Sequence, residues 1–162
     1  MIARSAVGAL LALALLAMPA AAAPFVYCSE ASPEGFNAAL FIANTTFDAS
    51  SRNVFNRLVE FERGSTRLRP ALAESWTISE DGRVYTFKLR PGVAFQTTKN
   101  FTPSRPFNAD DVLYTFLRQW DPNHRDYRLS GGSYEYFNSM DMPKLITAIE
   151  KLDAATVRFT LS

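Results

Sequence analysis

The chain has 162 residues, of which 48% are hydrophobic, 20% charged and 13% aromatic, and its formal net charge is +1. That is enough chain for one modest globular domain or a piece of a larger one. It excludes a disordered acidic tail, a collagen-like chain and a disulfide-dense miniprotein. The near-neutral balance leaves no electrostatic footprint for nucleic acid or an anionic membrane.

Residues 1–22 read as a cleaved signal peptide. Arg4 supplies the positive head, Ala6 to Met18 is an unbroken apolar run, and Pro19 precedes the small residues Ala20, Ala21 and Ala22. Charged head, short apolar core and small-residue cleavage site are the order that export requires. Cleavage is expected after Ala22, because a cut after Ala23 places Pro24 first. The apolar core is short of the ~20 residues a membrane span needs. Removal of this segment takes away Arg4 alone, so the mature chain is expected to be formally neutral.

Phe25 to Cys28 is a short apolar and aromatic run, expected to form a first buried strand. Ser32-Pro33-Glu34-Gly35 has loop chemistry. Asp48 to Ser51 is expected to open a helix whose apolar face holds Val54, Phe55, Leu58 and Val59. Ser75 to Ser79 reads as a strand, Glu80-Asp81-Gly82-Arg83 as a turn, and Val84 to Arg90 as a second strand. In the latter, Tyr85, Phe87 and Leu89 share one face. Pro91-Gly92 ends it, and Val93 and Phe95 are expected to start another short strand.

Asn108 is the predicted N-cap of the next helix, with Asp110 and Asp111 in the first turn. Val112, Leu113, Phe116, Leu117 and Trp120 form its apolar stripe, and Asp121-Pro122-Asn123 stops it. Ser130-Gly131-Gly132-Ser133 reads as a structural turn. Leu145 to Leu161 reads as two strands around Asp153-Ala154-Ala155-Thr156, with Val157, Phe159 and Leu161 on one face.

No catalytic set emerges. One histidine, His124, and one cysteine, Cys28, are too few for a tetrahedral soft metal site. Asp110 and Asp111 are adjacent, so on a helix their side chains diverge by about 100° and do not face a common substrate. There is no Gly-x-Ser-x-Gly elbow and no phosphate-binding Gly-x-x-x-x-Gly-Lys motif. The pattern is that of an exported α+β binding domain with no metal and no cofactor. A lone cysteine in an exported chain leaves an intermolecular bridge, a free thiol, a buried inert thiol or a partner missing from this chain. Pro24 to Tyr27 separate it from the cleavage site, which argues against a lipid anchor.

Several blocks together carry a resemblance. Tyr27-Cys28-Ser29-Glu30-Ala31-Ser32-Pro33-Glu34-Gly35-Phe36-Asn37 resembles the start of mature periplasmic dipeptide-binding proteins. Leu72-Ala73-Glu74-Ser75-Trp76, Ser79-Glu80-Asp81-Gly82, Tyr85-Thr86-Phe87, Leu89-Arg90 and Gly92-Val93 resemble the wider peptide, nickel and oligopeptide solute-binding family (family 5) of ABC importers. Phe107 to Val112 is similar to that family's next block, and Ser130 to Phe137 to its dipeptide branch.

The resemblance implies a two-lobed, clamshell α/β periplasmic-binding-protein fold (type II, with an extra inserted domain). Only the N-terminal part is present, and it is α+β in character. On that basis residues 23–54 begin the core lobe and residues 55–162 belong to the inserted domain. A longer parent chain is expected, with the cysteine that bridges to Cys28 outside this one. The implied function is capture of dipeptides and delivery to ABC permease subunits, by a monomer with no enzymatic role. Haem, nickel or longer peptides on the same scaffold, or a truncated interaction module, are the alternatives. The residues expected to touch peptide are Ile42, Asn44 and Thr45, with Ile42 contributing main-chain contact.

Overall fold

The computed structural model describes Pro24 and residues 26–162. The expected signal peptide therefore lies outside the described residues. The centre of the fold is a four-stranded antiparallel sheet made of β3 (Ala73–Ile78), β4 (Val84–Leu89), β5 (Ile146–Asp153) and β6 (Thr156–Leu161). The strand order is β3-β4-β6-β5. Ahead of it, β1 (Val59–Phe61) and β2 (Leu68–Pro70) form a separate antiparallel ribbon. Among the described residues, the α-helices are α1 (Asn44–Thr46), α2 (Ala109–Trp120), α3 (Glu135–Ser139) and α4 (Met142–Leu145).

Alternation along the strands decides which face is buried. Tyr85, Phe87, Leu89, Val157 and Phe159 point to one side and pack with Ala109, Val112 and Phe116 of α2. The opposite side carries Thr77, Thr86, Arg158 and Glu150, which stand in register across all four strands. Period-two patterning therefore does here what it does in any half-covered antiparallel sheet. Gly82 at φ 72° closes the β3–β4 hairpin, a conformation an L side chain resists.

α2 begins where the sequence says it must. Asn108 accepts from Asp110 N–H at 2.9 Å, and the Asp111 carboxylate accepts from Asn108 N–H at 2.9 Å, completing a capping box. Three further contacts hold this end in place. Arg105 forks onto Asp111 at 2.7 and 3.0 Å, Lys151 of β5 reaches Asp110 at 2.6 Å, and Ala109 N–H donates to Ala154 in the β5–β6 turn.

A second cluster surrounds Tyr134, Phe137 and Ile146. Ala39 and Leu40 pack against it, and Phe47 meets Tyr136 edge to face at 5.2 Å. These contacts dock the N-terminal segment onto α3.

Three expectations fail. Val26 to Cys28 form no strand and are exposed, with no ladder partner among the described residues; Phe25 lies outside them. The helix expected from Asp48 to Val59 stops early. Phe47–Ser51 is a π-helical turn, Val54 and Phe55 are 64% and 51% exposed, and Val59 enters β1. Ser50 and Ser51 donate their hydroxyls to the Thr46 and Phe47 carbonyls (2.7 and 3.3 Å), competing with the helical ladder. Leu58 still packs on the core, but from the bend just before β1. Val93 and Phe95 form no strand either, because the Val93 carbonyl accepts from Phe107 N–H at 2.9 Å and Phe95 packs against the Phe107 ring.

Candidate functional site

The segment singled out in the sequence is held by its neighbour, Ser32 to Gly35. Thr46 is fully buried, and its hydroxyl oxygen accepts from Glu34 N–H at 3.0 Å. Thr45 is buried too, and its hydroxyl donates to the Ser32 carbonyl at 3.4 Å. Ala43 N–H donates to the Glu34 carboxylate at 3.3 Å. Gly35 lies directly under Phe41; a Cβ there would stand 2.4 Å from the Phe41 ring.

This stitching separates the three expected contact residues. Thr45 faces inward, and its hydroxyl is engaged. Ile42 is 51% exposed, and Asn44, the first residue of α1, is exposed as well. Among the described residues, no hydrogen bond engages the main-chain N–H of Phe41 or either main-chain polar group of Ile42. Ile42 is at the surface, so these main-chain groups face solvent and are accessible.

Cys28 is exposed, and its thiol is free among the described residues. His124 accepts from Asp126 N–H through Nδ1 at 3.2 Å and lies against the Tyr114 ring. The Ser130 to Ser133 loop places Gly131 and Gly132 at φ 86° and 70° and delivers Tyr134 into the second cluster, in keeping with a turn.

Two concavities lie elsewhere. One, about 340 Å³, is lined by Arg52, Arg57, Arg90, Glu60, Phe55 and Leu72 among others. The other, about 270 Å³, is mainly apolar, between Pro91 and Phe107. Neither is lined by Ile42, Asn44 or Thr45. The arginine cavity has no motif in the sequence, because its walls come from three separate stretches of chain, around Arg57, Leu72 and Arg90.

Comparison with known proteins agrees with this fold. The model of bacterial extracellular solute-binding proteins, family 5 Middle, matches residues 67–162. Heme-binding protein A of Haemophilus influenzae is 56% identical over 138 residues, covering 85% of this chain and 25% of that protein. The dipeptide-binding protein of Escherichia coli is 51% identical over 156 residues, covering 94% and 29%. A dipeptide binding protein from Pseudoalteromonas, solved in complex with Met-Leu, superposes with a TM-score of 0.79 at 38% identity, covering 83% of this chain and 27% of that one. The chain thus spans between a quarter and a third of the length of these relatives.

Proposed function

Because the chain belongs to the bacterial extracellular solute-binding proteins of family 5, we propose that it forms part of a periplasmic receptor that captures dipeptides for an ABC importer. The observation that carries this reading is the 51% identity to a dipeptide-binding protein across 94% of the chain. Residues 23–54 would open the core lobe and residues 55–162 would form most of the inserted domain.

The local geometry supports a specific division of labour. The unpaired main-chain groups at Ile42 would meet the peptide backbone, and exposed Asn44 would add a side-chain contact. Thr45 would act from beneath, by fixing the segment on Ser32. A main-chain contact tolerates the identity of the peptide side chains, as a receptor for many dipeptides requires. Enclosing a zwitterion in addition demands fixed opposite charges at its two ends. Cys28 would pair with a cysteine elsewhere in the parent protein, and the receptor would work as a monomer exported by its signal peptide.

One observation favours a second reading. The Haemophilus influenzae relative, named a heme-binding protein, is 56% identical. Calorimetric titration of the purified protein with dipeptides, and separately with haem, distinguishes them. Saturable heat with dipeptides is the expected result. Haem binding with no dipeptide response would replace the first reading with the second.

A further inference from the structure

We propose that the cavity between Arg57 and Arg90 is a separate binding site for a small free oxyanion, phosphate or a carboxylate. The backbone puts the two residues there. Leu72 N–H donates to the Arg57 carbonyl at 2.9 Å, and the Leu72 carbonyl accepts from Arg90 N–H at 2.7 Å. One residue thereby clamps both arginines at the mouth of the same concavity.

Their side chains are partly preorganised. Arg57 donates through Nη2 to the Ser51 carbonyl at 3.0 Å, and Arg90 donates through Nε to the Ala71 carbonyl at 3.1 Å. Each guanidinium has five N–H donors, so most remain available. Among the described residues, neither has a carboxylate within ion-pair distance. The other charges of the lining are already matched: Arg52 pairs with Asp48, and Glu60 is held by Arg69 at 2.7 Å.

The concavity therefore presents two unmatched cations. Two cations lining one recess repel each other, and an anion held between them would offset that repulsion. Guanidinium forks fit phosphate and carboxylate oxygens in pairs. A volume of about 340 Å³ has room for a small oxyanion and several waters, at about 30 Å³ per water. Phe55 and Leu72 supply apolar wall beside the two exposed guanidiniums.

The test is calorimetric titration of the whole purified protein with inorganic phosphate and, in parallel, succinate, with chloride holding ionic strength constant. Saturable binding is expected, weakened about tenfold or more by Arg57→Gln and likewise by Arg90→Lys, which keeps the charge but loses the fork. Arg67→Gln, outside the cavity, should leave it unchanged. Urea denaturation of each variant reports folding, and a variant that fails to fold leaves the decision to the other. Heat no greater than that of added chloride, or equal affinity in the folded variants, overturns the proposal. Dipeptide titration of the same variants keeps this result distinct from the transport reading.

Discussion

The hydroxyl of Tyr134 donates to the main-chain carbonyl of Tyr127 at 2.7 Å, and Tyr134 has no exposed surface. This bond closes the loop that contains Gly131 and Gly132 and leaves the Tyr134 ring beneath Arg118, at 5.8 Å. Removal of the hydroxyl leaves a partly buried carbonyl without that donor. Tyr134→Phe should cost about 1–2 kcal/mol, with the ring packing intact. Urea denaturation measures it; a loss much above that range would mean that the ring itself had moved.

Gly35→Ala tests the candidate contact segment. The new methyl would lie 2.4 Å from Phe41 Cε2, so the ring must shift. Overpacking of this kind costs about 1–3 kcal/mol. The disturbance should loosen the bonds that join Glu34 to Ala43 and to the Thr46 hydroxyl, and appear as faster hydrogen exchange at the Glu34 and Ala43 amides. Under the proposed function, dipeptide affinity falls several-fold as well.

The start of α2 offers a graded series. Asn108→Ala removes the acceptor for Asp110 N–H and should destabilise by about 1 kcal/mol, whereas Asn108→Gly should differ from wild type by only a few tenths. Chemical denaturation of both variants checks the order. Equal losses would show that the side-chain cap contributes nothing here.

Stability should fall in acid. The Ser79 hydroxyl holds the Asp81 carboxyl below its ordinary value of 3.8. Lys151 does the same for Asp110, and the Ala155 N–H for Asp153. A carboxyl whose folded value is depressed stabilises the fold fully above its unfolded value. That stabilisation is lost as pH falls through the folded value. The urea midpoint should therefore hold steady from neutrality to about pH 5 and decline between about pH 4 and pH 2. Because the three carboxyls are at the surface, each contribution is small. Lys151→Met should flatten the part of the decline that belongs to Asp110.

The elements with strong local signals were legible in the sequence. The β3–β4 hairpin follows from alternation and from Gly82, the start of α2 from Asn108, and the β5–β6 hairpin from Val157, Phe159 and Leu161. Residues 44–59 were not. There an apolar spacing compatible with a helix is overruled by Ser50 and Ser51 bonding back to the ladder carbonyls, so Val54 and Phe55 stay outside the core. Of the three residues expected to touch peptide, Ile42 and Asn44 are exposed, whereas the inward turn of Thr45 was not legible.

By itself the sequence determined the solute-binding family, the half-covered sheet and the capped helix, because each rests on residue types at short, fixed spacing. Only the tertiary structure decided which groups stay unpaired. The main chain of Ile42 is left free beside Ala43 and Thr46, which Glu34 engages across the loop. The unmatched charges of Arg57 and Arg90 depend on Leu72 holding together two segments that lie far apart in the chain. Pairing is a property of distance in space, and spacing along the chain does not encode it.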